Sequence, residues 1–221
     1  MDQKTRVLAA TLRALVLHGD ETVRRVLVVG CGDGSEAVDL AEFFTCDVDA
    51  IDADDYFAAQ HPRVAFKKMD ARALEFPDST FDVVYSFHAI EHIPQPERAI
   101  REMRRVLREN GTYMVGVPNR SRFIGYITGR HASLRDKIVW NLIDWRARLR
   151  GRFRNEYGAH AGFTFSELAA LCGMIGEPVA ATREYYERLY PTQRRTIAAI
   201  VRLGLAISVF PCLYCVGRRE S

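Results

Sequence analysis

The chain reads as an α/β protein built on a mostly parallel sheet with helices on both faces. Two observations carry this. Short apolar or alternating runs at 26–29, 46–52, 63–68, 81–86 and 113–117 alternate with segments of helical periodicity. The first run, Val26-Leu27-Val28-Val29, is apolar throughout, as a strand covered on both faces must be, and it stops at Gly30-Cys31-Gly32-Asp33-Gly34. Three alternating glycines make a tight turn where the backbone must come close to something.

A helix over about Thr5 to His18 precedes that run, with Leu8, Leu12, Leu15 and Val16 on one face and Gly19 ending it. A second helix follows the glycines over roughly Ser35 to Phe44. Residues 46–52 alternate apolar and polar and end at Asp52, 22 residues after Gly30. An acid at a strand tip can accept hydrogen bonds from both hydroxyls of a ribose. Asp54 can instead cap a helix starting there. The third strand, 63–68, leads into Asp70-Ala71, and the fourth spans about 81–86. From Pro96 a helix carries Ala99, Ile100, Met103, Val106 and Leu107 at helical spacing, with Asn110-Gly111 as its stop. Tyr113 to Val117 is the fifth strand.

Downstream, 119–158 holds nine Arg and one Lys against three acids, formally +7, and an amphipathic helix from Leu134 to Leu149 with Trp140 and Trp145. Thr164 or Ser166 caps the next helix, through about Leu171. Residues 179–182 form a sixth strand, 192–208 a helix and 210–216 the last strand.

Composition bounds the rest. The 221 residues with 48% hydrophobic content suffice for one α/β domain, and a net charge of +3 does not by itself imply nucleic acid. Neither end reads as a leader or anchor: Met1-Asp2-Gln3 opens on an acid, and the charge-free stretch 203–217 is short of the roughly 20 residues a spanning helix needs. A cytoplasmic location is expected. The five cysteines are scattered, and the Cys212–Cys215 spacing lacks a second pair, so buried thiols are favoured over metal or redox work.

The glycine turn reads G-x-G-x-G, with Ser35 where a dinucleotide fingerprint needs its third glycine, and no G-x-x-x-x-G-K-[ST] phosphate loop is present. It resembles motif I of the class I S-adenosylmethionine-dependent methyltransferases. Phe76-Pro77-Asp78-Ser79-Thr80-Phe81-Asp82-Val83-Val84, His88-Ala89-Ile90-Glu91-His92-Ile93-Pro94 and Glu102 through Gly111 resemble further segments of that family, in the same order. The resemblance covers about 24–120. It implies a Rossmann-like fold with a seven-stranded sheet and S-adenosyl-L-methionine as cofactor. Its binding residues would be Gly30, Cys31, Gly32, Gly34, Asp52, Ala53, Asp70, Ala71, Ser86 and Phe87, with Asp70 facing the adenine amino group. Domain bounds follow as one unit, 1–221: a core at 24–118, a basic insertion or lid at 119–160 and C-terminal elements at 161–221.

The same comparison exposes one departure. The family commonly places an acid two residues before the first glycine to order the methionine end of the cofactor, and this chain has Val28 there. General bases for an oxygen acceptor would come from histidines near the strand ends, with His160 ranked first, then His88 and His92. His131 lies in the same region, and no metal is expected. The implied activity is O-methylation of a small molecule or of a glycan or lipid precursor. The basic insertion suits an acidic acceptor, an anionic membrane surface or RNA. An RNA methyltransferase and a non-catalytic S-adenosylmethionine-binding protein are the alternatives; DNA is disfavoured because the fourth strand continues Ser86-Phe87-His88-Ala89.

Overall fold

A computed structural model describes residues 3–17, 21–123, 133–155 and 161–220. Seven strands form one sheet: β1 (Arg25–Val29), β2 (Asp47–Asp52), β3 (Val64–Lys68), β4 (Phe81–Phe87), β5 (Leu107–Pro118), β6 (Val179–Ala180) and β7 (Cys212–Arg218). Their order is β3-β2-β1-β4-β5-β7-β6. β1 to β5 pair in parallel, while β7 runs antiparallel to both β5 and β6. The order reverses between β1 and β4, and the crevice at the carboxyl ends of those strands is where open α/β sheets bind ligands.

β1 shows why the first run had to be apolar throughout. Val26 and Val28 enter one core, Leu27 and Val29 the other. On the first face lie α1 (Gln3–Leu15), α2 (Ser35–Phe44), α6 (Thr182–Leu189) and α7 (Arg194–Arg202), contributing Leu8, Leu40, Tyr185 and Ile197. On the second lie α3 (Pro96–Val106) and α5 (Phe165–Cys172), contributing Ile100, Met103 and Leu168. α4 (Leu134–Leu149) buries no residue in either, and α8 (Ala206–Val209) is one short turn.

Four elements depart from expectation. No helix starts at Asp54; residues 55–61 run as irregular chain, held where Ala58 and Ala59 donate to the Asp33 carbonyl. α3 stops at Val106, before the Asn110-Gly111 signal, because Leu107 is already paired with Phe81 of β4 and the Arg219 guanidinium donates to its carbonyl. The long C-terminal helix is broken into α7 and α8 at Gly204, which sits at φ +70°. α6 was unforeseen: Tyr185 and Tyr186 are buried on a helix that Arg183 and Glu187 brace at i,i+4.

Candidate active site

A cavity of about 630 Å³ opens at the β1/β4 crevice. Its lining comes from the tips of β1, β2 and β3 and from the segment after β4. The glycine turn is its floor. Gly30 and Cys31 both donate to the Ile51 carbonyl, and Gly32 donates to Asp52 Oδ2 at 2.9 Å. Asp52 Oδ1 accepts from the Asp54 backbone at 3.1 Å. The Asp52 carboxylate therefore stands fixed at the tip of β2, with further lone pairs available.

The glycines do different work. A Cβ on Gly34 would come within 2.2 Å of the Phe57 ring, so this glycine admits residues 57–59 against the turn. A Cβ on Gly32, at φ +52°, would meet nothing within 4 Å. Asp33 receives the Ser35 backbone and hydroxyl, which hold its carboxyl below the usual range and fix the entry to α2.

Six of the ten residues named as cofactor ligands line the cavity: Gly30, Gly32, Asp52, Ala53, Asp70 and Ala71. Four do not. Cys31 is buried behind the turn, and burial, with Asp52 beside it, pushes its thiol up to about 12. Gly34 packs on Phe57. Ser86 is fully buried and donates to the Val29 carbonyl. Phe87 stacks on Tyr214 and meets the His88 ring edge-on. Tyr56, Lys68 and Arg72 line the cavity without a sequence signal of their own, and Ala89 and Ile93 join them from the His88–Pro94 segment. Asp70 is less free than its position suggests: the Arg72 side chain grips it at 2.6 Å and 3.0 Å, and the Arg72 backbone donates as well. These bonds hold the Asp70 carboxyl below its ordinary range.

Of the ranked histidines, His160 lies outside the described residues, as does His131. His88 and His92 both line the cavity. His88, at φ +53°, is clamped: Nε2 lies 3.4 Å from Cys212 Sγ, and Nδ1 lies 3.4 Å from Glu91 Oε1. Burial works against the charged ring, but Cys212 and Glu91 outweigh it and push His88 up to about 10. At neutral pH His88 is thus an imidazolium, the counter-charge of a buried carboxylate, and its proton is already in place. Cys212, one of the scattered thiols, reaches this ring from 124 residues away in the chain. Among the described residues no cluster of three or more potential metal ligands occurs, and no helix is long and apolar enough to cross a membrane.

The family segments hold the scaffold. Asp82 accepts from the Arg24 and Arg25 backbones at 2.6 and 2.9 Å and pairs with Arg108, pinning the start of β1 to β4. Arg105 binds Glu102, Asp78 and the carbonyls of Leu74 and Phe76, tying the loop before β4 to α3. Val28 is buried between its register partners Ala50 and Tyr85.

Residues 27–115 match the family model described as a methyltransferase domain. A probable S-adenosylmethionine-dependent methyltransferase of Mycobacterium tuberculosis is 40% identical over 106 residues, 46% of this chain and 38% of that one. A sterol 24-C-methyltransferase of Eremothecium gossypii is 35% identical over 113 residues, 47% of this chain and 29% of that one. The chain thus spans about a third of the length of these curated relatives. The solved structure of Haemonchus contortus phosphoethanolamine N-methyltransferase 2, in complex with S-adenosyl-L-methionine, overlays with a TM-score of 0.59 at 17% identity, over 96% of this chain and 52% of that one. In sheet order, cavity position and the matched core at 27–115 this chain is similar to S-adenosylmethionine-dependent methyltransferases.

Proposed function

We propose that the cavity holds S-adenosylmethionine and that the protein transfers its methyl group to an anionic oxygen of a small molecule or of a glycan or lipid precursor. The observation that carries the reading is the fixed Asp52 carboxylate at the β2 tip, beside the open face of Gly32. The residues fit such a ligand. Asp52 keeps lone pairs for the ribose hydroxyls, the open side of Gly32 leaves room for the amino-acid end, and Ala71 N–H with Asp70 can meet the adenine edge. Tyr56 at the cavity mouth offers an aromatic face. With Val28 in place of an acid, the amino-acid end must rely on the glycine backbone.

The bound sulfonium supplies an activated methyl, so the protein's task is to align the acceptor and exclude competing groups. The acceptor lone pair forms the new bond to carbon as the carbon–sulfur bond breaks. His88 as a cation on the wall favours an acceptor already ionised, such as a carboxylate or phenolate, which needs no base. His92, half-exposed on the same wall, and His160 are the bases left for a neutral hydroxyl.

Calorimetric titration of the full chain with S-adenosylmethionine and S-adenosylhomocysteine tests the reading. Saturable binding is expected, and its absence overturns the proposal. Asp52→Ala removes charged hydrogen bonds worth about 1.5–3 kcal/mol each and should weaken binding on the order of 10–100-fold. Asp70→Ala should cost less, because Arg72 already occupies much of that carboxylate.

A further inference from the structure

α4 is built inside out. Its half-buried positions are Lys137, Asn141, Asp144, Ala147 and Arg148, so its inward face is mostly polar. Its outward positions are Ile138, Val139, Leu142, Ile143, Trp145 and Leu149, from 41% to 90% exposed as a group with Trp140. Polar contacts tether it. Asp144 pairs with Arg122, itself 4% exposed, at 3.2 Å. Arg148 donates to the carbonyls of Arg120 and Arg122 at 2.7 and 2.8 Å, and Trp145 Nε1 donates to the Phe123 carbonyl at 2.6 Å. A surface helix of a globular protein has the opposite arrangement.

The apolar face continues beyond the helix. Phe123 is exposed and donates its backbone N–H to the Ser208 carbonyl at 2.8 Å, which brings Leu205 and Ile207, both exposed, alongside. A pocket of about 230 Å³, lined by Phe165, Val201, Ile207, Phe210 and Leu213 among others, opens beside Ile207. Such a contiguous apolar patch marks an interaction site.

Charge says what covers it. Arg135, Arg146, Arg150, Arg152 and Arg154 are exposed around the patch, and none forms an ion pair with a carboxylate among the described residues. The acids of α4 are committed, Asp136 to the Ser133 cap and Asp144 to Arg122. A second copy on a two-fold axis would set this arginine rim against its own image with no acid to answer it. An anionic headgroup layer answers it directly, while the aliphatic and indole side chains enter the acyl boundary. At 16 residues, roughly 24 Å, α4 suits lying in an interface and is too short to span one.

We propose that α4, with Phe123 and the bend at Leu205 to Ile207, is a docking surface for an anionic lipid bilayer. Asn119, at the carboxyl end of β5, donates to the Ile207 and Phe210 carbonyls, so the surface is anchored at the same end of the sheet as the cavity. This inference concerns where the protein sits and does not depend on methyl transfer.

The test is co-sedimentation of the full chain with phosphatidylcholine vesicles, with and without phosphatidylglycerol. Binding is expected only with the anionic lipid, weakened by salt, with a blue shift of tryptophan emission. Changing Arg135, Arg146 and Arg150 to Gln should lower partitioning roughly 100-fold, at about one kcal/mol per basic residue. The double variant Leu142→Asn, Ile143→Asn should abolish the emission shift. Both variants alter exposed side chains, and unchanged circular-dichroism melting confirms that they are folded. No binding to anionic vesicles overturns the proposal. So does a wild-type dimer, seen by analytical ultracentrifugation, that the Asn variant dissociates, or RNA binding that the Gln variant abolishes in a protein that ignores vesicles.

Discussion

The clamp on His88 has a consequence for stability. Glu91 is buried, and the rings of His88 and His92 come within 3.4 and 3.9 Å of its carboxylate. His88 titrates at about 10 in the fold against about 6.5 in the unfolded chain. A raised pKa stabilises fully below the unfolded value, and that stability is lost as pH climbs through the folded one. We therefore expect wild-type stability to fall between about pH 6.5 and pH 10 by more than that of His88→Gln. The difference should be roughly 1–2 kcal/mol, kept small because the ring is 36% exposed and solvent screens it. Urea denaturation at pH 6 and pH 10 checks this; parallel slopes for the two proteins would refute the charged clamp. The same residue shows what one chain can and cannot tell. His88 and Glu91 are three apart and visible together, whereas Cys212 arrives from β7, and the protonation state depends on all three.

At the scale of elements, the parts that could be read were those whose cause is local. α2 runs from Ser35 to Phe44 as expected, because the turn residues before it and the apolar spacing within it suffice. α4 runs from Leu134 to Leu149 as its periodicity indicates, and a Ser133–Asp136 capping box closes its N-terminus. Which way α4 faces was not local. Arg122, Arg148 and Asp144 decide it by ion pairing across the chain, and the expected amphipathic helix is inverted as a result. The end of α3 was misjudged for a similar reason, since β7 and Arg219 draw residues 107–111 into β5. The glycine turn allows a sharper test. Gly34 lines no part of the cavity, yet its Cβ would strike Phe57 and its φ is +86°. Gly34→Ala should cost about 2–3 kcal/mol from left-handed strain and overpacking. Thermal unfolding measures it, and a loss below about 0.5 kcal/mol, the range of an ordinary surface change, would contradict the close approach.

For the whole molecule, the cavity's position makes ligand binding a stability measurement. Its walls come from three parallel strand tips and the segment after β4, spread along the chain from Val29 to Pro94, and they meet only when the sheet is assembled. A ligand seated there contacts the folded state and has no comparable site on the unfolded chain. Linkage then gives about 2.7 kcal/mol at 100 times Kd. For a chain of 221 residues each kcal/mol moves Tm by roughly 2–4 °C, so S-adenosylhomocysteine should raise Tm on the order of 5–10 °C. Asp52→Ala should show the same rise only at about 10–100 times the ligand concentration, because the substitution acts on affinity and leaves the sheet intact. The arginine-to-glutamine variant of α4 should keep the wild-type curve, since no α4 residue lines the cavity. NAD offers the discriminating control. Its ribose could use Asp52, but Ser35 stands where its pyrophosphate turn needs a glycine, so an equal Tm rise with NAD would reassign the crevice to a dinucleotide.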